Sequence, residues 1–200
     1  MRAVEPPKRL IVALTGASGT IFGVRLLQML RGSGIETHLV MSRWAARTLV
    51  HETSYTPDQV QALADVVHPL TDQGAPISSG SFITMGMVVV PCSARTLAAI
   101  AHGIGDNLIH RAADVVLKER RKLVLAVRES PLSEIHLENM LKLSRMGVVI
   151  APPLPAFYTR PSSIDEMVDH SVSRILDQLD IHLDVNRWSG EMEAAVRDSE

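Results

Sequence analysis

Leu10-Ile11-Val12-Ala13-Leu14-Thr15-Gly16-Ala17-Ser18-Gly19-Thr20-Ile21 decides the fold class. Five apolar residues in a row, without polar alternation, suit a strand covered on both faces. Thr15 to Gly19 are small and stop the run, and from residue 21 to 31 the apolar positions fall at helical spacing. Strand, tight turn and helix form the unit from which parallel α/β sheets are assembled.

Working outward, the unit recurs. Residues 38–41 are apolar after His38 and stop at Ser42, before a helical pattern over 44–51. Residues 87–90 run into Pro91-Cys92-Ser93, before another helix over 95–101. Two more strands are predicted at 123–127 and 148–150, separated by a helix over 133–146. A last helix follows, because Ile164, Met167, Val168, Val172, Ile175, Leu176 and Leu179 step by three or four and form one stripe. With right-handed crossovers the expectation is a Rossmann-like, doubly wound parallel sheet sandwiched by helices. One domain is expected over residues 9–180, after an N-terminal lead of residues 1–8. A polar extension, 181–200, is expected to be anchored on Trp188. The loops at 72–86 and 151–163 are longer than connection requires, which is where α/β proteins tend to place function.

The composition narrows the function classes. Two hundred residues, 46% hydrophobic, suffice for one well-filled core. A net charge of −2, from 20 basic and 22 acidic residues, gives no global electrostatic case for nucleic acid or an anionic membrane. No apolar run approaches the roughly 18 residues of a membrane span, and MRAVEPPKRL has no apolar signal core. The one cysteine, Cys92, can form no internal disulfide, so a reducing cytoplasm is expected. Sixteen of the basic residues are Arg and four are Lys, and there are seven aromatics, so each Lys, Tyr and Trp merits separate attention.

In an open parallel sheet, ligands bind beyond the carboxyl ends of the strands. Those ends carry Gly16, Ala17 and Ser18, then Ser42, then Ser93, Ala94, Arg95 and Thr96, and finally Arg128-Glu129. Each turn alone also suits an ordinary strand-to-helix connection. Three in register favour a phosphate-bearing nucleotide held at helix N-termini. The second strand ends in Met41-Ser42-Arg43 instead of an acid for a ribose, and neither Tyr55 nor Tyr158 begins a Tyr-x-x-x-Lys element. A dinucleotide is thereby disfavoured, whereas a mononucleotide such as FMN needs no such acid. Arg111 and Lys118 lie seven apart on one helical line with Asp114 between them, which reads as a surface ion-pair ladder or as a cationic pocket for a second anion. Taken singly, Glu52 reads as solvated, and Tyr158 and Arg174 as structural. Zinc-site spacing, a C-x-x-C, a G-x-S-x-G elbow and a P-loop are missing from the sequence. Cys92 shows no sign of an activated thiolate.

Together these stretches resemble the flavin prenyltransferase (UbiX) family, particularly the branch called the B subunit of hydroxyarylic-acid decarboxylases. The resemblance runs from about Arg9 to Trp188. Beyond the first turn it rests on His38-Leu39-Val40-Met41-Ser42, Ile77-Ser78-Ser79-Gly80-Ser81-Phe82, Pro91-Cys92-Ser93, the run from Arg111 to Arg120, Ile135-His136-Leu137-Glu138-Asn139-Met140 and Pro155-Ala156-Phe157-Tyr158. It implies transfer of a dimethylallyl group from dimethylallyl phosphate to N5 and then C6 of reduced FMN, with no metal required. The prenylated flavin passes to a partner decarboxylase. By the same resemblance FMN lies against Gly16, Ala17, Ser18, Ser42, Ser93, Ala94, Arg95, Thr96 and Arg128. The allylic phosphate is held by Lys118, Tyr158 and Arg174, with Arg111 nearby. Ser18, Glu52, Lys118 and Glu129 are the expected catalytic residues, the two acids handling protons at flavin N5 and at the departing phosphate. Family members assemble into dodecamers with sites at subunit junctions, so a homododecamer is expected.

One departure stands out. Some family members place an aromatic residue before the Ser-Gly-Ser segment, facing the prenyl chain, and residues 70–81 here contain none. The wall of the prenyl site is then expected from the flavin itself or from Phe157, Tyr158 or Trp188. Two rivals are a non-catalytic flavin carrier and a peptidyl- or pantothenoyl-cysteine decarboxylase of the same fold. The second lacks its histidine, since residues 20–31 contain none, and its loop, since the chain reads Pro152-Pro153-Leu154-Pro155.

Overall fold

Val88, Val89 and Val90 sit in β4 (Gly86–Cys92), all seven of whose residues are buried. A strand with no polar face must be covered on both sides, and this requirement sets the architecture. The computed structural model describes residues 6–185, 187, 188 and 190. Its sheet contains β1 (Arg9–Leu14), β2 (Glu36–Met41), β3 (Val66–His68), β4, β5 (Lys122–Val127) and β6 (Val149–Ile150), in the order β3-β2-β1-β4-β5-β6. Every pairing is parallel. This is the doubly wound sheet expected from the strand-turn-helix pattern.

Alternate residues of each strand point to opposite faces, so one strand feeds two cores. Leu10, Val12, Leu14, Val88 and Val90 pack with α1 (Thr20–Leu30), α2 (Arg43–Glu52) and α7 (Ile164–Asp177). Ile11, Ala13, Met87, Val89 and Leu125 pack on the other face with α4 (Ala94–Ala101), α5 (Leu108–Lys118) and α6 (Glu134–Arg145). Among the described residues no helix is long and apolar enough to cross a membrane.

Two elements escaped the apolar pattern. β3 is three residues long and lies at the sheet edge, where Val67 is exposed, so it offered no periodicity. The short helix α3 (Pro57–Gln61) is specified by its start instead: Thr56 and Gln59 form a reciprocal capping box, with Pro57 in the first turn. A third difference concerns the last stripe. Val168, Val172, Ile175, Leu176 and Leu179 are buried as its spacing implies, but Ile164 remains 75% exposed in the solvent-facing first turn of α7. The loop at 72–86 is held from beneath by buried Ile77 and by Arg121, whose Nη1 and Nη2 donate to the carbonyls of Phe82 (2.9 Å) and Gly80 (2.6 Å).

Candidate functional site

Strand order reverses at β1, with β2 on one side and β4 on the other, and crossovers leaving in opposite directions open a crevice at their carboxyl ends. Thr15 holds that crevice together. Its buried hydroxyl donates to Pro91 O (2.7 Å) and accepts from the Ser93 N–H (2.8 Å), tying the end of β1 to the end of β4. On the other side the Ser42 N–H donates to Leu14 O (2.9 Å). Ser42 and Ser93 cap the following helices, accepting from the N–H groups of Ala45 (3.0 Å) and Thr96 (3.2 Å). Two capped helix N-termini therefore face one cleft of about 420 Å³, whose lining includes Thr15, Gly16, Ser42, Ser93, Arg95 and Thr96. A Cβ on Gly16 would stand 2.4 Å from Trp44 Cβ, so glycine is needed for the turn to lie against that side chain. Helix N-termini, hydroxyl residues and the close turn at Gly16 suit a flavin mononucleotide, with N–H groups for a phosphate and room for a flat ring.

Glu52 is placed where its sequence context gave no hint. α1 begins at Gly19 in the left-handed conformation with no side-chain cap of its own. Glu52, from the end of α2, supplies it: Oε2 accepts from the N–H groups of Gly19 (2.8 Å) and Thr20 (3.2 Å) and from Thr20 Oγ1 (3.3 Å). Desolvation pushes this carboxyl up, but the Ser18 side chain and the Gly19 and Thr20 donors together outweigh it, leaving a net downward shift. The site therefore holds an ionised acid beside Ser18 at neutral pH.

Arg128 and Glu129 follow β5 at the same edge of the sheet, both exposed, with the Arg128 N–H donating to Cys92 O (3.0 Å). Glu129 Oε1 accepts from the Ser130 N–H (3.2 Å). Cys92 itself is fully buried and burial pushes its thiol well up, so it stays protonated.

The expected phosphate ligands fall into two groups. Arg111 and Lys118 lie on α5: Arg111 pairs with Asp114 (2.8 Å) and donates to Ser78 O (3.3 Å), and Lys118 pairs with Glu119 beside Gly80. Only half of the Arg111–Asp114–Lys118 ladder forms, because Lys118 turns to Glu119 and to the loop at Gly80. Tyr158 and Arg174 belong to the opposite layer. The Tyr158 hydroxyl lies 2.9 Å from His170 Nε2, and Arg174 Nη1 pairs with Asp177 (2.7 Å). Burial lowers the His170 imidazole, helped by the charges of Arg174 and Arg187, so it is neutral and able to accept from Tyr158. Since α5 and α7 cover opposite faces of the sheet, the two pairs stand in different layers of the chain.

Several residues of the site had no sequence signal. Trp44 is 61% exposed in the cleft, with the Arg47 guanidinium 5.1 Å from its ring. Asp106 lies 2.5 Å from buried His110 and 3.5 Å from the exposed Arg95, and all three line the cleft. Desolvation lowers the His110 imidazole despite Asp106. Asn107 caps α5, its side chain accepting from the His110 N–H (3.1 Å). Among the described residues no group of three His, Cys, Asp or Glu side chains could hold a metal ion.

Comparison with known proteins gives concordant matches. The Flavoprotein family profile matches residues 2–183. Flavin prenyltransferase UbiX of Escherichia coli (strain K12) is 56% identical over 187 residues, 92% of this chain and 99% of the relative. The crystal structure of AnUbiX (PadA1) in complex with FMN and dimethylallyl pyrophosphate is 55% identical, with a TM-score of 0.87 over 90% of this chain and 98% of that one. A dodecameric FMN-dependent Ubix-like decarboxylase from Escherichia coli O157:H7 is 58% identical, with a TM-score of 0.90 over 91% and 100% of the two chains.

Proposed function

The chain belongs to the Flavoprotein family and, within it, to the flavin prenyltransferases, and on that premise we propose that it joins the dimethylallyl group of dimethylallyl phosphate to N5 and then C6 of reduced FMN. The observation that carries this reading is the 55% identity and shared fold with a protein whose crystal structure holds FMN and a dimethylallyl donor. Its prenylated product passes to a partner aromatic-acid decarboxylase. The lone, buried and protonated Cys92 suits a reducing cytoplasm.

Reduced flavin supplies the electron-rich nucleophile, and the chain's residues do the rest. Gly16, Ala17, Ser18, Ser42, Ser93, Ala94, Arg95, Thr96 and Arg128 bind and orient the flavin in the strand-end cleft. Lys118, Arg111 and Arg174, with the Tyr158 hydroxyl, neutralise charge building on the departing phosphate. Glu52, already ionised, accepts the proton released at flavin N5 beside Ser18, and Glu129 relays a proton from solvent to the phosphate once it has departed. Enclosure keeps water from the allylic cation.

The cations occupy opposite layers of one chain, and on this reading a complete site draws on more than one subunit, as in a dodecamer such as that of the similar Escherichia coli O157:H7 protein. Inactive Lys118→Ala and Arg174→Ala proteins, dissociated and reassembled together, are expected to regain about a quarter of the wild-type activity by random mixing. No recovery in verified mixed assemblies would mean that each chain builds its own site.

The overall reading is tested by incubating the protein anaerobically with reduced FMN and dimethylallyl phosphate and weighing the flavin by mass spectrometry. A prenylated flavin is expected. Unmodified FMN, with FMN demonstrably bound, would leave the carrier reading in its place.

A further inference from the structure

Asp177 closes α7, a position where an acid opposes the helix dipole. Its side chain is nonetheless 8% exposed and gathers several donors. Arg187 binds it through both guanidinium ends (2.7 and 2.8 Å), Arg174 Nη1 approaches to 2.7 Å and His182 Nδ1 to 2.9 Å. The hydrogen bonds from Arg187 outweigh the desolvation, and this carboxyl lies far below its ordinary range. Arg174 keeps the rest of its planar fork for an anion while one end is fixed. Arg187 is followed by Trp188, whose ring meets Tyr158 edge to face at 5.7 Å.

We propose that Asp177 is a positioning residue that sets both the phosphate-facing Arg174 and, through Arg187, the aromatic pair Trp188–Tyr158. This rests on the reading of Arg174 and Tyr158 as phosphate ligands. One carboxylate thereby couples the part of the site that grips the leaving group to an aromatic surface contributed from the C-terminal extension. A merely structural ion pair would join α7 to the extension without affecting the prenyl donor.

The test uses Asp177→Asn, Asp177→Glu and Arg187→Ala in the full chain. Asp177→Asn is expected to raise KM for dimethylallyl phosphate about ten-fold or more while the FMN Kd stays within about two-fold, and Asp177→Glu should recover most of the loss. Arg187→Ala leaves Arg174 paired and should raise that KM by only about two- to three-fold. In a Trp44→Phe background, used for fluorescence alone, Trp188 is the remaining indole. Its acrylamide quenching constant should rise about 1.5-fold or more in Asp177→Asn and in Arg187→Ala. Unchanged quenching in both variants, or a KM no higher in Asp177→Asn than in Arg187→Ala, would overturn the proposal. If Asp177→Asn does not fold, the KM of Arg187→Ala for dimethylallyl phosphate decides, and a value equal to wild type would overturn the proposal. A wild-type protein that binds but never prenylates FMN would sink the proposed activity instead, leaving the quenching result to report on the anchor.

Discussion

Replacing Lys118 by Ala is expected to lower kcat/KM for dimethylallyl phosphate by about 10²- to 10³-fold, with FMN affinity within about two-fold of wild type. The asymmetry comes from position. Lys118 ends α5, paired with Glu119 and close to Gly80, away from the cleft lined by Gly16, Ser42 and Ser93. Losing a half-exposed lysine from the last turn of a helix costs only about 0.3–1 kcal/mol of stability, so an unfolded variant is not the expected outcome. The charge, by contrast, acts on a phosphate that must leave with its bonding electrons, where a missing cation is felt fully in the transition state. Titration calorimetry with FMN and initial rates with the prenyl donor separate the two ligands. Equal loss of both would mean that Lys118 only braces the loop at 78–82.

Glu52→Ala is expected to be the second severe change, lowering the rate about 10²-fold or more by removing a placed proton acceptor. It should also cost about 1 kcal/mol of stability, the usual effect of losing a helix cap. The N–H groups of Gly19 and Thr20 lose their acceptor, and Gly19 has no side chain to replace it. The pH dependence follows from the direction of the shift. The folded-state carboxyl lies below its ordinary value, because donors from Ser18, Gly19 and Thr20 overcome desolvation. Its contribution is therefore complete above about pH 5, past the unfolded value, and is lost as pH falls through the lower folded value. Chemical denaturation should show a constant gap between wild type and Glu52→Gln from about pH 6 to 8, narrowing toward pH 3. A gap that widens on acidification would mean that Glu52 is protonated in the native protein.

The layers of the fold were legible because burial on both faces leaves a simple trace: an unalternating aliphatic run must be a covered strand. Residues 10–14, 39–41, 87–90 and 123–127 all carry it. β3 does not, since a three-residue edge strand with one side exposed needs little apolar sequence. In the site, the strand-end turns were equally legible, as Gly16, Ser42 and Ser93 are local solutions to starting a helix after a strand. Trp44, Asp106 and Asp177 were not: Trp44 lies against Gly16 only in the folded chain, and the near-sequence partners of Asp106 and Asp177 sit at helix ends and in irregular segments, where no apolar period points to them.

By itself, then, the amino-acid sequence determined the parallel sandwich, the place of the cleft at the strand ends and the residue types available for a flavin and a phosphate. These depend on short-range patterns: apolar period, turn chemistry and cap residues within a few positions. The tertiary structure alone decided that Glu52 caps α1 from 33 residues beyond Gly19, that Thr15 joins β1 to β4, and that Arg111 with Lys118 lies across the sheet from Tyr158 with Arg174. Those relations come from strand order and from which face each crossover covers, and neither is written in local periodicity.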